Sequence, residues 1–142
     1  MTRPPVGLVL ITADTTFATL FRHALETRED LVLHDAVIPD QALETVRRHG
    51  PAHVVVDADG QAAANVVRLC RKLLLVRPVG VVLTGAYLGL GSAVLTHILE
   101  AVPARSVMKP GGCAGLALAD ETTAASFADA LVRALGCGTE AA

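Results

Sequence analysis

The stretch that decides the fold is Val54-Val55-Val56-Asp57-Ala58-Asp59, in which three consecutive valines are followed at once by Asp57 and, two residues later, by Asp59. An uninterrupted β-branched run predicts a strand buried on both faces, because a strand with one wet face alternates apolar and polar residues. Ligands of open α/β sheets bind outside the carboxyl ends of the strands. Asp57 is therefore the first candidate for chemistry, although an acid at this position also serves as an ordinary turn residue.

Four other apolar runs predict strands, and the strands alternate with segments whose apolar residues have helical spacing. These strands are expected at residues 6–12, 31–37, 79–84 and 105–108. Helices are expected at residues 15–28, from Pro39 to Gly50, at 61–77, from a cap at Ser92 to Pro103, and at 122–135. Strands that alternate with helices require right-handed crossovers, which predicts an α/β fold with a five-stranded parallel sheet.

The length of 142 residues fits one domain, which we place at residues 1–136, followed by a flexible tail at 137–142. Hydrophobic residues make up 52% of the chain but aromatic residues only 3%, so the core must be built from Val, Leu, Ala and Ile. The apolar runs are too short to cross a membrane, and the amino terminus lacks a secretory signal. We therefore expect a soluble, cytoplasmic protein with no membrane partner.

Charge and composition argue against several classes of site. Twelve basic and fourteen acidic residues give a net charge of −2 without a basic stripe, so direct nucleic-acid binding by this segment is not expected. The three cysteines and five histidines lack metal-ligand or redox spacing, and we interpret them as packing or surface residues. The glycine-rich stretch 85–91 lacks the lysine and hydroxyl residue of a phosphate-binding loop, so we interpret it as a flexible loop.

Four polar residues follow strands of the predicted sheet: Asp14, Asp57, Thr84 and Lys109. Because parallel strands end at the same edge of a sheet, we expect these four side chains to share one crevice. Carboxylate oxygens are the ligands that Mg²⁺ prefers, while an ammonium and a hydroxyl suit the oxygens of a phosphoryl group. The set therefore predicts a site for phosphoryl transfer, although Asp14 taken alone is better explained as a helix cap.

Between residues 6 and 135 the chain resembles the receiver domain of bacterial two-component response regulators. The resemblance rests on Asp14 after the first strand, Asp57 in VVVDAD, Thr84 in VVLTGA and Lys109 in SVMKPGG. It implies a flavodoxin-like, doubly wound sheet with the strand order 2-1-3-4-5, enclosed by five helices in three α/β/α layers.

The resemblance also implies a function, in which Asp57 is the phosphoacceptor for a sensor histidine kinase or a phosphotransfer protein. Mg²⁺ would be held by Asp14, Asp57 and the backbone carbonyl of Asp59, and Thr84 and Lys109 would detect the acyl phosphate. A downstream output domain or protein would then respond, and a homodimer is compatible with this scheme. Such a domain assists its own modification but is not otherwise an enzyme, and the family typically has a cis bond at Lys109-Pro110.

Three features depart from the receiver pattern. Ala13 stands where the first of two adjacent acids is usual, which predicts weak Mg²⁺ binding. Ser106 replaces the aromatic switch residue near the fifth strand, so any signal is expected to leave through the loops 85–91 and 111–121 instead. The second loop is unusually long, and its Leu116-Ala117-Leu118 is apolar enough to pack on the domain as a cover.

Three functional hypotheses from different classes remain. The first is a phosphorylatable receiver, and the second is a degenerate receiver that binds protein partners without phosphorylation, which Ala13 and Ser106 make credible. The third is a flavodoxin-like nucleotide or flavin binder. It ranks last because residues 12–16 contain no glycine and place an acid where a phosphate would bind.

Overall fold

The computed structural model describes residues 4–76, 78–86, 93–112 and 114–136, apart from the side chains at positions 94 and 95. Some of the sequence-based expectations concern other parts of the chain. The cap at Ser92, residues 87–91 of the glycine-rich loop, Cys113, Cys137 and the tail 137–142 lie outside the described residues.

Five strands form one parallel sheet in the order β2-β1-β3-β4-β5. Their bounds are β1 Val6–Ile11, β2 Leu31–Val37, β3 His53–Asp57, β4 Gly80–Gly85 and β5 Arg105–Met108. The predicted fold class and strand order are confirmed. Strand β3 lies at the centre of the sheet between β1 and β4, so the stretch that contains Asp57 has a neighbour on each side.

The helices are α1 Thr15–Leu25, α2 Ala42–His49, α3 Ala63–Leu75, α4 Ala93–Ala101 and α5 Glu121–Leu135. The helix predicted from Pro39 begins instead with a 3-10 turn over Pro39–Gln41, because Gln41 N bonds to Ile38 O three residues back. A second 3-10 turn, Leu116–Ala119, interrupts the long connection before α5. Helix α1 ends before the predicted residue 28, because the Arg28 N–H donates to Leu25 O, three residues back, in a tighter turn.

Two apolar cores lie on opposite faces of the sheet. Val54 and Val56 of β3 belong to the core covered by α2, α3 and α4, whereas Val55 belongs to the core covered by α1 and α5. All three valines are fully buried, and each contributes roughly 1.5–3 kcal/mol to folding by the burial of its side chain. The three-layer architecture and the burial of β3 on both faces therefore agree with the prediction from the valine run.

The helices that the structure describes include none with both the length and the apolar character needed to span a membrane.

Candidate functional site

The carboxyl ends of three strands and the residue after β1 bring polar side chains together in the interior. Asp57 is the last residue of β3 and pairs in register with Thr84 of β4. Lys109 follows β5, and Thr12 follows β1. All four residues are buried, with at most 5% of their surface exposed. The predicted convergence of Asp57, Thr84 and Lys109 at one sheet edge is therefore observed.

Both oxygens of the Asp57 carboxylate accept hydrogen bonds from the protein. Oδ1 accepts from Lys109 Nζ at 2.9 Å and from the backbone N–H of Asp59 at 3.0 Å. Oδ2 accepts from the Thr12 hydroxyl at 2.7 Å. Two of these three donors come from elements far from Asp57 in sequence, so the sheet register itself holds the carboxylate in place.

Lys109 is shared between two carboxylates. Its Nζ lies 2.9 Å from Asp57 Oδ1 and 2.9 Å from Asp59 Oδ2, and the side chain is fully buried. The same Nζ lies 4.0 Å from the centre of the Phe17 ring, which adds a cation–π contact. A buried ammonium is tolerated only when it is paired in this way, because taking an ion out of water costs several kcal/mol.

Asp59 contributes its side chain to the site as well as its backbone. In addition to the ion pair with Lys109, its carboxylate accepts from the backbone N–H of Ala86, which lies 2.9 Å from Oδ2 and 3.1 Å from Oδ1. The sequence-based interpretation gave Asp59 only a backbone role. The sequence signal for this role is the position of Asp59 two residues after the strand-ending Asp57. At that position the loop after β3 approaches the loop after β4.

Asp14 lies at the amino end of α1, where Oδ1 accepts from Phe17 N at 3.1 Å as a helix cap. The residue of this segment that touches Asp57 is Thr12, whose Oγ1 also accepts from Asp14 N at 3.0 Å. Sequence reasoning placed Thr12 inside the first strand and missed its role. The capping alternative for Asp14 is thus observed in the structure.

The Thr84 hydroxyl is buried and makes no hydrogen bond to the described part of the chain. Such a group costs about 1–3 kcal/mol if it is left without a partner. Among the described residues, the Thr84 hydroxyl therefore keeps unused hydrogen-bonding capacity in this arrangement.

The carboxylates that the resemblance assigned to Mg²⁺ serve as hydrogen-bond acceptors in this arrangement, and magnesium binding stays a prediction. Asp57 already has donors on both oxygens, and Asp14 uses Oδ1 to cap α1. Within the described ranges, no group of three or more His, Cys, Asp or Glu residues is placed to hold a metal. A hard cation needs several free oxygen ligands, and these carboxylates offer few of them in this arrangement.

The predicted cis bond at Lys109-Pro110 is wrong, because every peptide bond in the described residues is trans. The trans form is the intrinsically favoured one by about 0.5–1 kcal/mol. With this bond trans, Lys109 Nζ still lies 2.9 Å from Asp57 Oδ1. The glycines that follow supply the turn, with φ of +80° at Gly111 and +66° at Gly115. A Cβ on Gly115 would lie 2.8 Å from Phe17, so this connection packs directly on the site.

The apolar part of that connection packs on the domain only in part. Leu118 is fully buried in the core beside α1 and α5, whereas Leu116 is 61% exposed. The expected docking of the segment is observed for Leu118 alone. Its proposed release during signalling stays a prediction.

No protein-family model matches the chain, and no curated protein matches it in sequence. Solved structures do match. The response regulator domain of Thermotoga maritima CheB superposes with a TM-score of 0.74 at 12% identity, over 93% of this chain and 97% of that chain. The response regulator ChrA of a heme-sensing two-component system superposes with a TM-score of 0.55 at 17% identity, over 92% of this chain and 66% of that chain. The chain therefore has the fold of response-regulator receiver domains.

Proposed function

We propose that this chain is a degenerate receiver, a signalling module that binds protein partners without magnesium-dependent phosphorylation of Asp57. The observation that carries the proposal is that both carboxylate oxygens of Asp57 accept hydrogen bonds inside the protein, from Lys109, Thr12 and the Asp59 N–H. A phosphoacceptor must expose an oxygen to its donor. Here each Asp57 oxygen already has a donor, and only 3% of the residue is exposed.

The two positions that the resemblance assigned to the acidic pair support the same conclusion. Ala13 is exposed and its side chain has no ligand to offer, and Asp14 uses its carboxylate as the cap of α1. The partners that we infer are proteins: a kinase or phosphotransfer protein, bound without phosphoryl transfer to Asp57, and a downstream output domain or protein. The net charge of −2 gives no support to nucleic acid as a partner.

A magnesium-dependent phosphoacceptor is the second candidate, and one observation favours it. The buried Thr84 hydroxyl pairs in register with Asp57 and has no partner in the described chain, and Lys109 lies beside the same carboxylate. These are the groups that would bind phosphoryl oxygens on Asp57. This candidate requires Asp57 to exchange its present donors for a metal and a phosphoryl group.

Intact-mass analysis after incubation with acetyl phosphate and Mg²⁺ separates the two candidates. We expect the wild-type chain to gain no phosphoryl mass under conditions that label an active receiver included as a positive control. Asp57→Asn serves as the negative control. A gain of one phosphoryl group by the wild type, absent from Asp57→Asn, would establish the phosphoacceptor instead.

The binding part of the proposal has its own measurement. The proteins that co-purify with the wild-type chain from its native cells are compared with those that co-purify with Asp57→Asn. We expect the two sets to be the same, because the partner surface does not depend on modification of Asp57. Partners that are lost from Asp57→Asn despite an unchanged fold would contradict a phosphorylation-independent module.

A further inference from the structure

Two donors beside Asp57 converge on a single carboxylate, that of Asp59. Lys109 Nζ lies 2.9 Å from Asp59 Oδ2, and the backbone N–H of Ala86 lies 2.9 Å from the same oxygen. A buried ammonium and a backbone N–H directed at one point are the donors with which proteins bind phosphate and other oxyanions. The geometry is therefore that of an oxyanion subsite.

We propose that Asp59 is a built-in ligand that occupies this oxyanion subsite and excludes inorganic phosphate from it. The inference deepens the proposed function and rests on it, since it concerns the same site in its unmodified state. Asp59 acts here as a positioning residue, because it holds Lys109 and the first residue after β4 through its own carboxylate.

The charge of the site supports exclusion. Two carboxylates, those of Asp57 and Asp59, share the single ammonium of Lys109, so the cluster carries one net negative charge. An incoming phosphate would add roughly 1.5–2 further negative charges in a region where the three side chains are at most 11% exposed. Removal of the Asp59 carboxylate leaves a neutral Lys109–Asp57 pair and takes away the acceptor of the Ala86 N–H, which favours an anion.

The location of Asp59 explains why its carboxylate, and not that of Asp57, fills the subsite. Asp57 is fixed at the end of β3 by Thr12 and by the Asp59 N–H, whereas Asp59 stands in the loop between β3 and α3, where its side chain accepts from Ala86 N just after β4. Its side chain thereby bridges the loops after β3, β4 and β5. The protein's own chain supplies the anion that links these three loops.

The test is thermal unfolding of Asp59→Ala in increasing inorganic phosphate, with sodium chloride of matched ionic strength as the reference. We expect a rise in Tm of about 4 °C when phosphate exceeds its dissociation constant tenfold. The wild type should show no phosphate-specific rise. Asp40→Ala is the matched control, because it removes an exposed carboxylate outside the site and changes the net charge equally.

Hydrogen exchange at the Ala86 amide provides a second readout. In Asp59→Ala this N–H loses its partner, so we expect its protection to fall about tenfold and to recover when phosphate is added. If Asp59→Ala does not fold, Asp59→Ser is used, because its shorter side chain also removes the charge and withdraws from the subsite. A phosphate-dependent rise in Tm for Asp59→Ser then supports the inference.

The inference is overturned if phosphate stabilises the wild type as much as the variants, or stabilises neither variant while Ala86 protection is unchanged. These outcomes are separate from those of the proposed function. Inorganic phosphate does not phosphorylate Asp57, so the titration reports the subsite alone. Labelling by acetyl phosphate reports Asp57 alone.

Discussion

Thr12 and Thr84 carry the same side chain in opposite hydrogen-bonding situations. The Thr12 hydroxyl donates to Asp57 Oδ2 and accepts from Asp14 N, whereas the buried Thr84 hydroxyl makes no hydrogen bond to the described chain. A hydrogen bond to a charged group contributes about 1.5–3 kcal/mol, and a buried hydroxyl without a partner costs a similar amount. The two residues therefore offer a matched pair of substitutions.

We expect Thr12→Val to lower the free energy of unfolding by about 1.5–3 kcal/mol, because Asp57 Oδ2 loses its donor inside the protein. Thr84→Val should leave the free energy of unfolding unchanged or raise it by about 1 kcal/mol, since valine fills the same volume without a polar group. Urea denaturation followed by circular dichroism measures both. Equal losses in the two variants would show that Thr84 has a partner of its own.

At the scale of the element, the cap of α1 decides what Asp14 does. Asp14 Oδ1 accepts from Phe17 N at 3.1 Å, which satisfies one of the N–H groups that a helix leaves open at its amino end. Asp14→Ala should therefore lower the free energy of unfolding by about 1 kcal/mol. Asp14→Asn should cost much less, because an amide oxygen caps equally well.

The same two Asp14 variants are then compared in urea with and without millimolar MgCl₂. If Asp14 is only a helix cap, Mg²⁺ should change the free energy of unfolding of the wild type and of both variants no more than a matched salt control does. If Mg²⁺ stabilises the wild type and Asp14→Asn loses that stabilisation, Asp14 is a metal ligand as the resemblance implied. Asp120→Asn, at the corresponding cap of α5, is the control for a helix cap outside the site.

The strands and helices were predictable because their signals are local. A run such as Val54-Val55-Val56 predicts a buried strand from its own composition. Pro103 and Gly50 indicate helix ends without reference to the rest of the chain. The roles of Thr12 and Asp59 were not predictable, because Thr12 meets Asp57 across 45 positions of sequence. Partner choice among four polar strand ends depends on register and loop path, which local patterns do not encode.

At the scale of the whole molecule, the reactivity of the Cys70 thiol measures how often one of the two cores opens. The residue lies on α3 with no exposed surface and belongs to the core that also contains Val54 and Val56. Burial raises the pKa of the Cys70 thiol from its ordinary 9.0 to about 11. The thiolate, which is the reactive form, is therefore scarce in the folded protein at pH 8.

We expect iodoacetamide to modify Cys70 in the folded protein at pH 8 at least about a thousandfold more slowly than in urea. The folded side chain has no accessible surface, so the reaction must pass through opening of the core, and a marginally stable domain opens globally at about that frequency or less. Mass spectrometry of the Cys70 peptide measures the rate separately from the other cysteines. Modification at a rate near that in urea would show that the core between α3 and the sheet opens locally.

The raised pKa of Cys70 also determines the direction in which folding stability changes with pH. The folded state keeps the Cys70 proton up to about pH 11, whereas the unfolded state releases it near pH 9.0, so stability falls as the pH rises between these values. We expect the wild type to lose more unfolding free energy from pH 8 to pH 10 than Cys70→Ala, which has no group to titrate there. An identical loss in both proteins would mean that Cys70 is not held in the neutral form by the core, and its slow alkylation would then have to come from steric protection alone.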